Sequence, residues 1–199
     1  MSKLDVLILC GGQGTRLKSV IKNTPKALSR IGKRPFLDYL IDQMIYWGSR
    51  RIILCTGYRK EVIRKYFSKK KYSKPLNIIF SEEEESLGTA GALRHASPLI
   101  HSDPFVVLNG DSYCEIDFRE FLKFHEKKDS VATIAVKSPE RSSEYGLVQI
   151  ESERIISFHE KKAIAKSDDS FWINAGIYIL SKEILNMVQL HNVAEKYRL

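Results

Sequence analysis

The sequence has few cysteines and lacks a long apolar run. Its three cysteines are an odd number without Cys-x-x-Cys spacing, so neither a disulfide framework nor a zinc site is supported. The apolar run near the start is too short for a signal peptide or a membrane span, and we therefore expect a cytoplasmic protein without a membrane partner. No proline- or glycine-rich linker and no internal repeat divide the chain, which favours one domain over residues 1–199.

The chain also lacks the residue patterns of enzymes that use a protein nucleophile. Its five histidines show no metal-ligand spacing, and no Ser/His/Asp or Cys/His constellation is evident. A net charge of +8 is spread along the chain without the interleaved aromatics of a stacking surface, so we expect no nucleic-acid partner. Positive charge equally suits small anionic substrates. The acidic run from Glu82 to Glu85 is predicted to be an exposed loop, because four adjacent carboxylates repel one another.

A glycine-rich turn follows the first apolar run. Its backbone can direct several N–H groups into one concavity that a polyphosphate would fill, through Gly11, Gly12 and Gly14. Thr15 and Arg16 add a hydroxyl group and a cation. The turn lacks the lysine of a P-loop, and Leu17 stands where a dinucleotide-binding turn has its third glycine. A turn that only joins a strand to a helix is the alternative interpretation.

Apolar runs of strand length alternate with helical patterns along most of the chain. This order predicts an α/β fold with a central sheet covered on both faces. The later strands are closer to a meander, so the sheet is expected to be mixed but mostly parallel. Strands are predicted at residues 6–9, 52–55, 76–80, 105–108, 131–136, 147–150, 155–160 and 172–180, and helices at residues 35–47, 60–67, 89–100 and 118–127.

Asp111 and Lys26 are the first candidates for chemistry. Asp111 lies just past the end of the most hydrophobic predicted strand, where open α/β sheets bind ligands, and its carboxylate suits Mg²⁺. Lys26 follows the glycine turn and could reach the same phosphates as Arg16. A turn aspartate and a surface lysine are the alternatives. Transfer of a nucleotidyl group needs no protein nucleophile, since alignment, cations and metal suffice.

Together these segments resemble the sugar-1-phosphate nucleotidylyltransferases, in order and approximate spacing, from Leu4 to about Leu185. The matching segments are Gly11-Gly12-Gln13-Gly14-Thr15-Arg16-Leu17, Pro25-Lys26, Gly88-Thr89-Ala90-Gly91-Ala92-Leu93, Asn109-Gly110-Asp111, Tyr145-Gly146, Glu160-Lys161 and Asn174-Ala175-Gly176. The resemblance implies a Rossmann-like three-layer sandwich of the nucleotide-diphospho-sugar transferase type. It also implies a reaction of a nucleoside triphosphate with a sugar 1-phosphate that gives a nucleotide sugar and pyrophosphate.

The resemblance implies a role for each matching residue. Catalytic roles fall on Arg16, Lys26, Asp111 and Lys161, with Asp111 also the ligand of Mg²⁺. Contacts to the nucleotide are expected from Leu9, Gly11, Gly12, Gly14, Thr15, Leu87 and Gly88. Contacts to the sugar are expected from Tyr145, Gly146, Glu160, Asn174 and Gly176.

Three segments narrow the resemblance to the bacterial guanylyltransferases that act on D-glycero-D-manno-heptose 1-phosphate. They are Leu17-Lys18-Ser19-Val20, Asn23-Thr24-Pro25-Lys26-Ala27-Leu28 and Lys33-Arg34-Pro35-Phe36-Leu37. This implies GTP as the nucleotide and a product for capsule or lipopolysaccharide synthesis. The residues themselves leave the base open among guanine, thymine and uracil.

The sequence departs from the family pattern near its end. The family has a final strand with Asp-Ile-Gly, whose aspartate would be a second metal ligand. This motif is not found in the sequence, which is therefore expected to lack the last strand and helix of the family. Glu195, a water or a partner chain could replace that ligand in an active enzyme. The alternative is a truncated or degenerate homologue that binds nucleotide or sugar phosphate without turnover. An exposed sheet edge would favour a homo-oligomer.

Overall fold

The computed structural model describes residues 3–12, 24–72, 75–138, 146–160 and 171–188. Its strands are β1 (Val6–Leu9), β2 (Arg30–Ile31), β3 (Arg34–Pro35), β4 (Arg51–Thr56), β5 (Asn77–Glu82), β6 (Phe105–Asn109), β7 (Ala132–Lys137), β8 (Gly146–Glu151), β9 (Arg154–Glu160) and β10 (Phe171–Leu180). Its α-helices are α1 (Phe36–Tyr46), α2 (Lys60–Ser68), α3 (Gly88–Ala96), α4 (Phe118–Lys128) and α5 (Glu183–Met187). No helix within these ranges is long and apolar enough to cross a membrane.

Eight of the strands form one mixed sheet, in the order β5-β4-β1-β6-β10-β8-β9, with β7 also paired to β10. The first four of these strands are mutually parallel, whereas β10 runs antiparallel to β6, β7 and β8. Strands β1, β4 and β6 are mainly apolar because helices cover both of their faces. The predicted mixed, mostly parallel sheet is confirmed.

Alternate residues of the strands face two separate apolar cores. Val6 and Ile8 of β1 point into one core with the apolar sides of α1, α2 and α4, whereas Leu7 points into the other with α3 and α5. Helix α1 buries Leu37, Leu40, Ile41 and Met44, which recur at helical spacing. The sheet therefore lies between two helical layers, as the resemblance implied.

Helix α4 begins at a cap that the sequence encodes. The Asp117 carboxylate accepts hydrogen bonds from the backbone N–H groups of Arg119 at 2.8 Å and Glu120 at 3.2 Å, which satisfies two otherwise unpaired donors of the first turn. Helix α4 then packs its buried Phe118 on the core next to Trp47.

The predicted strands and helices are confirmed apart from their ends. The helix predicted at residues 89–100 ends as an α-helix at Ala96 and continues as a 3₁₀ turn over Ser97–Leu99, where Pro98 removes a backbone donor. Pro35 was predicted in the first turn of α1 but precedes the helix as its cap and pairs with Arg30. The short β2–β3 hairpin and α5 were not predicted, because two-residue strands and a five-residue helix carry little periodicity. The organisation as one domain that lacks a last strand stays a prediction.

Strand β10 changes partner along its length, and this creates the functional end of the sheet. Its second half, Ile177–Leu180, pairs with β6, whereas its first residues, Phe171–Ile173, pair with β8. An irregularity in its pairing with β7 lies between Asn174 and Tyr178, next to the point where β6 ends. The β8–β9 hairpin thereby extends the sheet beyond the carboxyl end of β6.

Candidate active site

A cleft of about 290 Å³ opens at the carboxyl ends of β1, β4 and β6. Loops after parallel strands converge at this edge, which is where open α/β sheets bind ligands. The cleft is lined by Leu9, Cys10, Gly11, Gly12, Lys26, Ala27, Cys55, Glu83, Ser86, Gly88, Thr89, Ala92, Asn109, Gly110 and Asp111. The structure thus brings together several of the residues predicted to bind nucleotide with the predicted metal ligand.

Lys26 and Asp111 form an ion pair in the cleft. The Lys26 ammonium lies 2.5 Å from Asp111 Oδ2, and the side chains are 38% and 44% exposed. Asp111 Oδ1 also accepts a hydrogen bond from the Ser112 hydroxyl at 3.3 Å. Both charged groups therefore remain open to a ligand while they neutralise each other in its absence.

The glycine turn packs closely against the loop after β4. The backbone N–H of Tyr58 donates to the carbonyl oxygen of Gly11 at 3.3 Å, and a Cβ on Gly11 would lie 3.3 Å from the Gly57 nitrogen. By contrast, within the part of the chain that the structure describes and apart from its chain neighbours, no atom lies within 4 Å of the position that a Cβ of Gly12 would take.

Gly110 lies between β1 and the Asp111 loop. Its N–H donates to the carbonyl oxygen of Leu9 at 2.9 Å, and a Cβ at this position would lie 2.5 Å from that same oxygen. Because no real Cβ can come so near a backbone oxygen, only glycine fits here without a shift of the strands. The contact fixes Asp111 against the end of β1.

The prediction of an exposed acidic run from Glu82 to Glu85 is wrong for Glu83. The run was predicted to be exposed, but Glu83 is only 6% exposed and lines the cleft. Its neighbours turn outward, with Glu82 paired to Arg64 and Glu84 to Lys60. Two of the four carboxylates are therefore neutralised by cations on α2, and repulsion does not prevent the burial of one carboxylate between them.

The Glu83 carboxylate is held by the turn that leads into α3. Its Oε2 accepts a hydrogen bond from the Leu87 N–H at 3.2 Å. Burial raises the pKa of the Glu83 carboxyl, while this hydrogen bond and the nearby His95 oppose the rise. Sequence reasoning missed Glu83 because a run of identical residues carries no signal for which member turns inward.

Cys10 and Cys55 also line the cleft but act as packing groups. Burial raises the pKa of the Cys10 thiol to about 12, with a further contribution from the charge of Glu83. The pKa of Cys55 is likewise raised, chiefly by burial. Both thiols are therefore protonated and unreactive at neutral pH.

The residues predicted to contact the sugar are grouped at a neighbouring part of the sheet. Gly146 of β8 pairs with Glu160 of β9, and Asn174 lies one residue beyond the pairing of Leu147 with Ile173. The N–H of Gly176 donates to Asn174 Oδ1 at 2.9 Å. At the backbone level, the three strands therefore bring these segments side by side.

Several predicted site residues lie outside the described ranges. They are Gly14, Thr15, Arg16, Tyr145 and Lys161, together with Glu195 as a candidate metal ligand. Within the described ranges, no group of three or more His, Cys, Asp or Glu side chains could hold a metal ion. Leu87 begins the turn into α3, and Gly88, with φ of +69°, is the first residue of that helix.

The sheet order and the cleft define a Rossmann-like α/β protein of the nucleotide-diphospho-sugar transferase type. The family model described as nucleotidyl transferase matches residues 5–198, and the chain belongs to this family. The resemblance that the sequence motifs indicated is therefore confirmed, and with it the prediction of a nucleotidyltransferase.

Relatives of known activity support this assignment. The chain is 36% identical over 183 residues to a D-glycero-alpha-D-manno-heptose 1-phosphate guanylyltransferase of Campylobacter jejuni, covering 92% of this chain and 78% of that protein. It is also 36% identical to the catalytic subunit beta of a mannose-1-phosphate guanylyltransferase of Xenopus tropicalis, covering 94% of this chain. The chain spans 52% of the length of the Xenopus protein.

A solved structure extends the comparison to three dimensions. HddC from Yersinia pseudotuberculosis, crystallised in complex with GMP-PN, is 35% identical and superimposes with a TM-score of 0.77. The match covers 92% of this chain and 78% of that one. The similarity thus spans both the parallel half of the sheet and its antiparallel end.

Proposed function

We propose that the protein transfers GMP from GTP to a sugar 1-phosphate, namely D-glycero-D-manno-heptose 1-phosphate, and releases pyrophosphate. The observation that carries this proposal is that the Lys26–Asp111 pair and the buried Glu83 carboxylate lie in one cleft beside the glycine turn. The heptose is taken from the similarity to the Campylobacter jejuni enzyme. The product would serve capsule or lipopolysaccharide synthesis in the cytoplasm.

Glu83 supports guanine as the base. A buried carboxylate accepts hydrogen bonds only, so it favours a base edge that presents donors. Guanine offers two adjacent donors, N1–H and the N2 amino group, to one carboxylate. Uracil and thymine offer a single N3–H between two carbonyl oxygens, which a carboxylate would repel. Glu83 therefore suits GTP better than UTP or dTTP.

The reaction proceeds by one in-line displacement. A phosphate oxygen of the sugar 1-phosphate forms a bond to the α-phosphorus of GTP, and the bond from this phosphorus to the oxygen bridging to the β-phosphate breaks. The electron pair leaves with pyrophosphate. Lys26 would balance the negative charge that develops on the leaving group, and Arg16 and Lys161 are proposed to neutralise the triphosphate and the incoming sugar phosphate.

The residues of the cleft fit Mg²⁺. Asp111 offers a carboxylate that is 44% exposed, and Mg²⁺ is usually held by one or two carboxylates together with substrate phosphates and water. When bound, Mg²⁺ would supply positive charge to the phosphate at which substitution occurs. Lys26 would exchange its pairing with Asp111 for the phosphates of the nucleotide.

Pyrophosphate release by the purified protein tests this proposal. We expect release with Mg²⁺, GTP and the heptose 1-phosphate, and much less with UTP or dTTP, or with mannose 1-phosphate or glucose 1-phosphate. Asp111→Asn should abolish release, whereas Asp42→Asn should not, because Asp42 forms a similarly exposed ion pair with Arg34 outside the cleft. If the protein bound nucleotide but released no pyrophosphate under any condition, the proposed activity would be refuted. That result would favour a homologue that binds nucleotide without turnover.

A further inference from the structure

The buried Tyr178 hydroxyl holds the Asn174 side chain. Tyr178 is 5% exposed, and its hydroxyl accepts a hydrogen bond from Asn174 Nδ2 at 2.9 Å. The ring itself lies in the apolar core beneath α3 and α5.

Asn174 and a second asparagine, Asn109, belong to different parts of the cleft region. Asn109 ends β6, lines the cleft and lies two residues before Asp111. Asn174 lies at the irregularity of β10, where its Oδ1 holds the Gly176 N–H. The Tyr178 hydroxyl thus holds Asn174 and, through it, the Gly176 backbone of the strand that carries the proposed sugar contacts.

The contact between these two segments depends on Gly176. This residue has φ of +73°, and a Cβ there would lie 2.8 Å from Asn109 Nδ2. The absence of a side chain lets the Asn109 amide approach the backbone of β10. The relative position of the two segments is therefore set by close polar contacts rather than by loose apolar packing.

We propose that Tyr178 is a positioning residue, which holds the sugar-binding segment Asn174–Gly176 in register with the Asn109–Asp111 loop so that the sugar phosphate meets the nucleotide in line. The inference rests on the proposed function for the identity of the two substrates. It adds a residue that contacts neither substrate and acts through Asn174.

Burial favours a neutral hydroxyl in this role. It raises the pKa of Tyr178, and the charge of Asp111 adds to the rise. The hydroxyl is therefore protonated at neutral pH and can both donate and accept. Tyr178→Phe keeps the ring in the core and removes only this oxygen, which frees the Asn174 amide to turn away from Gly176.

The test compares both substrates in Tyr178→Phe. We expect kcat/KM for the sugar 1-phosphate to fall about tenfold, as for the loss of one buried hydrogen bond, while the dissociation constant of GTP stays within about twofold. Tyr66→Phe is the matched control, because the Tyr66 hydroxyl donates to Asp38 at 2.7 Å outside the cleft. It should leave kcat/KM for both substrates unchanged.

A double-variant cycle and a binding measurement distinguish positioning from general loosening. If Tyr178 acts through Asn174, adding Tyr178→Phe to Asn174→Ala should cause little further loss of sugar phosphate affinity. Calorimetric binding of the sugar phosphate and the side-chain amide NMR signals of Asn109 and Asn174 provide readouts without turnover. The positioning role would be overturned by equal losses of kcat/KM for GTP and sugar phosphate, or by additive losses of affinity in the double variant. It would also be overturned if the amide signals of Asn109 or Asn174 did not shift.

These readouts also separate this inference from the proposed reaction. A wild-type protein that releases no pyrophosphate would refute the proposed function, but shifts of both amide signals in Tyr178→Phe would still support the link. Conversely, an active wild type with unchanged kinetics in Tyr178→Phe would refute only the positioning role.

Discussion

Lys26 Nζ lies 2.5 Å from Asp111 Oδ2, although the two residues are 85 positions apart in the chain. Both side chains are partly exposed, so the pair itself contributes little to folding stability. The consequence of the pair is functional. Each group neutralises the charge of the other until a triphosphate binds Lys26 and a divalent cation binds Asp111. The pair therefore connects the proposed phosphate contact to the proposed metal ligand.

Removal of the Lys26 cation should slow the reaction. Lys26→Met keeps the length of the side chain but leaves the departing pyrophosphate without this positive charge, so we expect kcat/KM for GTP to fall roughly 100-fold. Lys60→Met is the control, since Lys60 pairs with Glu84 outside the cleft. A steady-state assay of pyrophosphate release measures both, and equal rates for the two variants would contradict the role of Lys26.

The same substitution should have the opposite effect on metal binding without nucleotide. In Lys26→Met the Asp111 carboxylate loses its cationic partner, so Mn²⁺, as a probe for Mg²⁺, should bind up to about fivefold more tightly. Asp111→Asn should weaken binding strongly. Titration followed by electron paramagnetic resonance measures free Mn²⁺, and an unchanged affinity in Lys26→Met would show that the ion pair does not compete with the metal.

Replacement of Glu83 by an amide should relax the choice of base. The amide of Glu83→Gln can donate to a carbonyl oxygen. We therefore expect kcat/KM for GTP to fall about 10- to 100-fold and the preference for GTP over UTP to become smaller. Glu84→Gln serves as the control, because that carboxylate lies in the same loop but is exposed. Competition between GTP and UTP measures the ratio of their kcat/KM values. If this ratio were the same in Glu83→Gln as in the wild type, Glu83 would have no role in base recognition.

The raised pKa of Glu83 predicts how stability depends on pH. The folded protein binds this proton more tightly than the unfolded chain, so the stabilising contribution is complete below the unfolded pKa and is lost as pH rises through the folded pKa. As pH rises above the usual carboxyl pKa of about 4, the wild type should therefore lose stability relative to Glu83→Gln. Thermal unfolding of both proteins across this range measures the difference, and parallel curves would contradict the prediction.

A methyl group at position 110 should disturb the Asp111 loop. Because its Cβ would meet the carbonyl oxygen of Leu9, Gly110→Ala should lower the free energy of unfolding by about 2 kcal/mol and reduce activity. Gly32, in the turn between β2 and β3, has a φ of +61°, and among the described residues no atom outside its chain neighbours lies within 4 Å of its Cβ position. Gly32→Ala should therefore cost about 1 kcal/mol without loss of activity. Chemical denaturation and the pyrophosphate assay test both variants.

Local patterns in the sequence predicted the elements that carry the site. Apolar runs and helical spacing do not depend on distant residues, so β1, β4 and β6 and helices α1, α2 and α4 were found within a few residues of their true ends. The glycine turn and the Asn109–Asp111 loop were identified for the same reason. Each is a short contiguous segment whose chemistry can be read from its own residues.

Other features depend on contacts between distant segments. Glu83 could not be distinguished from its three acidic neighbours until α2 supplied cations to Glu82 and Glu84. Likewise, the role of Tyr178 depends on where β10 leaves β6, on its hydrogen bond to Asn174 and on the approach of Gly176 to Asn109. No local pattern encodes either relationship.

The sequence by itself determined the α/β class, the order of the elements and the family, because periodicity and motif spacing are properties of contiguous residues. Only the tertiary structure decided that Lys26 pairs with Asp111, that one glutamate of four is buried in the cleft, and that Gly176 lies against Asn109. These contacts arise from packing between segments that are distant in the chain, 24 residues apart for Lys60 and Glu84 and 85 residues apart for Lys26 and Asp111. Burial and charge compensation there select one partner among many of the same type.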